Sequence, residues 1–303
     1  MIAQLAGYQV GFDDSGDGLP VVFLHGFPHD RTLWTAQRVS LAPHVRCIVP
    51  DLRGFGHSST FGPFSMDQYA DDVVALLDWL GIEAAAVCGL SMGGYVAMAM
   101  WRRHPERIRA LIFSDTKAGA DDDETRARRD EMIAMVRRDG SRAIADAQLQ
   151  GMLGKESRAR RPDVVNTIRV MMAKQSVAGI IGALQALRDR PDSRETLRTI
   201  TVPTLVVVGE DDVLTPIKEA RAIAEGTLKS DAVLPASMRL TINGVSLTVN
   251  RISDTPEGCE VHINLIPHTV THTALNSLQP GTPVNLEIDL IARYVERMLG
   301  LRA

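Results

Sequence analysis

Short, mostly apolar runs recur through the first part of this chain, and they constrain its fold more than any other feature. Val21–His25 (VVFLH), Val45–Pro50 (VRCIVP), Ala84–Cys88 (AAAVC), Ile108–Phe113 (IRALIF) and Thr204–Val208 (TLVVV) lack the in-out alternation of a half-buried strand. Such runs suit strands covered on both faces. Helical patterns lie between them. Met66–Leu80 spaces Tyr69, Val73, Val74, Leu76, Leu77 and Leu80 along one helical face, and Gly81 follows as a stop. Gly93–His104 is a second helix, closed by Pro105. Tyr8–Phe12 reads as an opening strand. Strands alternating with helices predict an α/β fold with a mostly parallel sheet.

Residues 117–198 break the rhythm. They hold no convincing strand, but they carry apolar stripes at helical spacing: Met132, Met135 and Val136; Ile168, Met171 and Met172; Ile180, Leu184 and Leu187. This is a helical insertion, in which methionine stripes serve packing. The acidic run Asp121–Glu124 reads as a solvated helix start. A helix is expected from Ile217 to Ala224, after which the character changes. Arg239–Ile242 and Val245–Val249 alternate as strands around Asn243-Gly244. Glu260–Ile266 and Pro283–Ile288 are strand-like, and Asp289–Leu299 reads as a terminal helix. The expected organisation is a core over 1–226 and a second segment over 227–303.

Composition narrows the function classes. With 33 Lys plus Arg against 37 Asp plus Glu, the net charge is −4, so neither nucleic acid nor an anionic membrane is an expected partner. No stretch approaches the roughly 20 apolar residues of a membrane helix. Cys47, Cys88 and Cys259 are odd in number and far apart. They suit buried, reduced thiols in a cytoplasmic protein, without a disulfide framework or a metal site.

Chemistry enters at the strand ends. Gly89-Leu90-Ser91-Met92-Gly93 follows one strand and opens a helix. Its glycines permit a tight turn that lifts a serine hydroxyl above the sheet edge. His25-Gly26-Phe27-Pro28 follows another strand, where a backbone N–H can face the same point. Asp51–Ser58 (DLRGFGHS) and Gly209–Pro216 (GEDDVLTP) occupy two further strand ends. Together these motifs resemble the α/β-hydrolase family, most of all its carboxylesterase and lactonase members. The resemblance implies a serine, aspartate, histidine triad in that chain order. Ser91 matches the nucleophile and Asp212 the acid, with Asp211 as the alternative. Phe27 and Met92 match the two oxyanion-hole donors, His25 shapes the hole, and 117–198 match a lid. The implied substrate is a small ester or lactone, and no cofactor or metal is called for.

The histidine departs from the pattern. The family places it some 25 residues past the acid, whereas Asp212–Val261 contains none. His262, His268 and His272 come next. They lie where INGVSLTVN, INLIPHTVTHTALNSLQPG and VNLEIDLIARYVERML resemble the lumazine-binding C-terminal half of riboflavin synthase, over about 239–299. That resemblance implies a β-rich, partial barrel whose ligand contacts fall on Ser246, Leu247, Thr248, Ile266, Pro267, His268, Thr269, Val270 and Thr271. Three readings stand. The chain is an ester or lactone hydrolase with His268 as candidate base; or a lumazine- or flavin-binding module; or a chimera without a working site, in which the three histidines merely belong to the barrel fragment. One strand of 239–249 is expected to dock where the hydrolase sheet would otherwise end.

Overall fold

The computed structural model describes residues 1–209, 212–227, 249–255 and 258–263. The expected strands of 239–248 and 283–288, the terminal helix and the docking strand lie outside them. The described residues form two units, taken separately.

The first unit is built on a seven-stranded sheet. Its strands are β1 (Ile2–Leu5), β2 (Tyr8–Ser15), β3 (Pro20–Leu24), β4 (Arg46–Pro50), β5 (Ala85–Leu90), β6 (Ile108–Ser114) and β7 (Thr204–Val207). The spatial order is β1-β2-β4-β3-β5-β6-β7. β2 runs antiparallel to β1 and β4, and the pairs from β4 through β7 are parallel. Each expected apolar run is one of these strands. From β3 the chain steps to β4 on one side, then crosses to β5 on the other. That reversal opens a crevice at the carboxyl ends of β3 and β5.

Helices cover both faces: α1 (Thr35–Leu41), α2 (Met66–Trp79) and α3 (Met92–Arg103). Ser65 caps α2 by accepting the Gln68 N–H at 3.0 Å. The apolar face of α2 is buried through Tyr69, Val73, Leu76 and Leu77. α3 is buried along nearly its whole length. The insertion contains α4 (Asp123–Asp139), α5 (Ser141–Met152), α6 (Lys155–Arg160), α7 (Pro162–Ala173), α8 (Val177–Arg188) and α9 (Arg194–Leu197), and no strand. The stripe residues Val136, Met171, Met172, Ile180, Leu184 and Leu187 are core. α10 (Ile217–Thr227) follows β7. No single described helix is long and apolar enough to cross a membrane.

One detail differs from expectation. Asp122 does cap α4, accepting the Thr125 N–H at 2.8 Å. Asp121 beside it is buried, not solvated. It pairs with Arg190 at 2.7 Å, Arg129 at 3.1 Å and Lys117 at 3.3 Å. Burial raises its pKa, but the two arginines outweigh burial and hold the carboxyl below the usual range.

The second unit shows β8 (Val249–Thr255) antiparallel to β9 (Gly258–Ile263). β9 begins two residues before the expected 260–266 strand and overlaps it over Glu260–Ile263. β8 was not expected, because VNRISDT lacks a consistent apolar face. Pairing with β9, which sets Thr255 opposite Gly258, makes it a strand.

Candidate active site

Ser91 stands between β5 and α3 with φ 50° and ψ −109°. A non-glycine residue reaches this region only when its surroundings hold it there. Its N–H donates to the Ser114 carbonyl of β6 at 2.9 Å. Its carbonyl accepts from Gly94 N at 2.9 Å, Tyr95 N at 3.3 Å and the Thr116 hydroxyl at 2.8 Å. The two motif glycines are sterically required. A Cβ on Gly89 would come closer than 3.0 Å to the Gly93 carbonyl, and one on Gly93 equally close to the Leu24 carbonyl. Ser91 is thereby lifted at the head of α3, where the first N–H groups face outward and favour negative charge. Met92 is the first residue of that helix.

The loop after β3 lies against this turn. A Cβ on Gly26 would stand 3.4 Å from the Ser91 Cβ. Phe27 follows, buried, with its ring edge-on to Phe55 at 6.2 Å. His25 fixes the loop with both ring nitrogens. Nε2 accepts the Leu52 N–H at 3.0 Å, so Nδ1 carries the hydrogen and donates to the Gly26 carbonyl at 3.0 Å. Burial lowers its pKa and keeps it neutral. An imidazole so engaged is a structural brace, not a base. His29 is also buried, and burial followed by the nearby His25 brings its pKa to about 4.

The acid side follows β6 and β7. Asp212 accepts Leu214 N at 2.7 Å and Thr215 N at 2.9 Å on Oδ1, and the Thr215 hydroxyl at 2.6 Å on Oδ2. These bonds fold the segment into a turn around the carboxylate. Asp211 lies outside the described residues. Ser91, Asp115 and Asp212 thus follow three adjacent parallel strands at one edge of the sheet. Asp115 was not foreseen. It follows β6, with φ 42°, and accepts the Gly209 N–H at 2.8 Å. An acid ending an apolar run is the only local signal of it, and Asp51 after β4 gives the same signal for a different role. Asp51 binds the Arg31 guanidinium and accepts Arg31 N at 2.8 Å and His57 N at 2.8 Å, so it braces its own loop.

A latch ties the insertion to this edge. Asp30 pairs with Lys174 at 2.8 Å and accepts Gln175 Nε2 at 2.9 Å. The Gln175 Oε1 accepts Gly56 N at 3.0 Å. Burial pushes the Asp30 carboxyl up, but its hydrogen bonds to Lys174, Thr32 and Gln175 prevail and bring it to about 2. Gln175→Leu leaves the Gly56 N–H without this partner and is expected to cost about 1–3 kcal/mol. Urea denaturation would show that cost, and limited trypsin digestion should cut faster within 140–176. An unchanged midpoint and an unchanged digestion pattern would contradict the latch.

His268 and His272 lie outside the described residues, as do Ser246, Leu247, Thr248, Ile266, Pro267, Thr269, Val270 and Thr271. His262 is in β9, opposite Arg251. Among the described residues no imidazole is hydrogen-bonded to Ser91, and no group of side chains could hold a metal ion.

A sequence profile of the alpha/beta hydrolase fold family matches residues 20–242, and one of the lumazine binding domain matches 212–289. Over 231 residues the chain is 32% identical to the AB hydrolase superfamily protein YisY of Bacillus subtilis, covering 73% of this chain and 84% of that one. Over 219 residues it is 30% identical to 3-oxoadipate enol-lactonase 2 of Acinetobacter baylyi, covering 72% and 80%. Among solved structures, a thermophilic esterase from Thermogutta terrifontis superposes with a TM-score of 0.72 at 38% identity, covering 75% of this chain and 86% of that one. The enol-lactonase from Burkholderia xenovorans LB400 superposes with a TM-score of 0.70 at 29% identity, covering 75% and 87%.

Proposed function

The chain belongs to the alpha/beta hydrolase fold family, and from that premise we propose that it is a serine hydrolase of small carboxylic esters or lactones. The observation that carries this reading is the pinned, left-handed backbone of Ser91 at the head of α3. A relative that is an enol-lactonase and a structural neighbour that is an esterase favour the same substrate class.

In this reading the Ser91 Oγ attacks the acyl carbon while a base takes its proton. The carbonyl oxygen becomes an oxyanion, which the Phe27 and Met92 N–H groups stabilise. Such donors typically contribute about 3–4 kcal/mol each to the transition state. The alcohol leaves with the proton, and water then releases the acid. Asp212 orients the base through its second nitrogen. The candidate for that base, His268, lies outside the described residues. Without a base, an oxyanion hole and substrate binding alone leave roughly 10³-fold acceleration over water. Slow turnover is therefore not proof of a triad.

Fluorophosphonate labelling tests this directly. The expected result is rapid, stoichiometric modification of the peptide containing Ser91, abolished in Ser91→Ala and strongly slowed in His268→Ala. A folded wild-type protein that resists the reagent would overturn the hydrolase reading. A second reading has its own observation, the lumazine binding domain match over 212–289. It predicts quenching of a fluorescent lumazine analogue, weakened by Thr248→Ala. No quenching at high micromolar concentration removes it.

A further inference from the structure

Two acids stand beside Gly209 where β6 and β7 end, although a triad needs one. Asp115 is held there by its backbone. Its N–H donates to the Val207 carbonyl at 2.9 Å, and its φ of 42° lies in a region that costs a side chain energy. Its carboxyl accepts Gly209 N at 2.8 Å and the Ser114 hydroxyl at 3.1 Å. Gly209 opens the turn that carries Asp212, whose own N–H returns to the Gly209 carbonyl at 3.2 Å. A Cβ on Gly209 would stand 3.6 Å from the Asp115 Oδ1 and 3.9 Å from the Asp212 Cβ. Both acids thus flank one glycine.

Like charges this close resist joint ionisation. The donors decide which acid keeps the charge. Asp212 receives three hydrogen bonds from Leu214 and Thr215, all of which suit an anion. Asp115 receives two and is half-buried. Lys117, two residues on, is committed to Asp121. Among the described residues, the charged group acting on Asp115 is Asp212.

We propose that Asp115 and Asp212 share one proton, with Asp115 as the neutral partner that donates to the Asp212 carboxylate and fixes its orientation toward the base. The role rests on Asp212 being the triad acid; the shared proton does not. Asp115 is then a positioning residue: it touches no substrate. Burial, followed by the field and hydrogen bond of Asp212, raises Asp115 from 3.8 to about 6.

This has a measurable sign. Unfolded Asp115 loses its proton near 3.8, while the folded pair keeps it until about 6. Between those values the unfolded chain binds fewer protons, so stability falls as pH rises. A shift from 3.8 to about 6 corresponds to roughly a hundredfold in the folding constant. Urea denaturation of wild type, Asp115→Asn and Asp212→Asn from pH 4 to 8 reads it. Relative to Asp115→Asn, wild type should lose about a hundredfold across this range. Asp212→Asn, which removes the neighbouring charge, should shrink that loss. Parallel wild-type and Asp115→Asn curves would overturn the proposal, as would a loss indifferent to Asp212→Asn.

Fluorophosphonate labelling reads the positioning role. Asp115→Ala should slow it about tenfold, while Asp115→Asn, which keeps a donor, restores most of the rate. Equal rates for wild type and Asp115→Ala would refute positioning. If wild type is not labelled at all, the hydrolase reading and the positioning role fall together. The stability curves still decide the shared proton.

Discussion

Gly93→Ala should cripple both folding and reactivity, although alanine is the better helix former. Gly93 is the second residue of α3, and alanine there gains at most about 1 kcal/mol of helix propensity. Against that, the added Cβ would meet the carbonyl group and side chain of Leu24 closer than 3.0 Å. Leu24 ends β3, and the Phe27 loop begins immediately after it. Backbone on both sides is hydrogen-bonded, so neither can retreat cheaply. Overpacking of this kind costs about 1–3 kcal/mol, sometimes more, and here it exceeds the propensity gain. The strain also separates Ser91 from the Phe27 loop. A misplacement of about 1 Å can cost roughly a hundredfold in rate. Chemical denaturation and the labelling rate, measured on the same preparation, would check this. Wild-type values in both would show that the turn does not depend on Gly93.

The second large effect concerns a buried ion pair between the loop after β4 and α2. Arg53 binds Asp72 through two parallel bonds, Nε to Oδ2 at 2.7 Å and Nη2 to Oδ1 at 2.6 Å. Both side chains are only 6% exposed, so neither has water to replace a lost partner. Arg53 also stacks over the Tyr8 ring at 4.3 Å and donates to the Phe61 carbonyl at 3.3 Å. Gln68 donates to Asp72 at 2.9 Å. Arg53→Met is therefore expected to cost about 3–5 kcal/mol, because it strands a buried carboxylate. Adding Asp72→Leu removes that carboxylate and should recover much of the loss. The double-mutant cycle, by urea denaturation, separates the two causes. Additive single losses would mean that the pair is not coupled. Arg53 belongs to the DLRGFGHS stretch, so this pair also anchors the loop that Asp51 braces.

How much of this was legible depended on range. The strands β3 to β6 were readable because burial on both faces leaves a local apolar run, and β7, whose residues are half-buried, because its run is equally apolar. The turn at Ser91 was readable from its glycine pattern, of which Gly89 answers a clash within a few residues, against Gly93, while Gly93 answers one with the distant Leu24. The latch was not readable: Gln175 meets Asp30 across 145 residues and Gly56 across 119. Asp115 was missed for the same reason, since Gly209, the donor that reaches it, lies 94 residues away. Asp121 was misread because its neighbours in sequence are exposed acids, while Arg190 arrives from beyond α8. β8 was missed because its pairing with β9, rather than any apolar pattern of its own, makes it a strand.

By itself, the sequence determined the parallel sheet, the serine on its strained turn, and the alpha/beta hydrolase ancestry. Each rests on periodicity or steric demand expressed over a few consecutive residues. Only the tertiary structure decided which charges are buried and which partners they meet. It set Asp115 beside Asp212, sank Asp121 among arginines, and fastened the insertion through Gln175. The physical reason is that the cost of a charge depends on the dielectric and the donors around it, and those are supplied by residues far away in the chain.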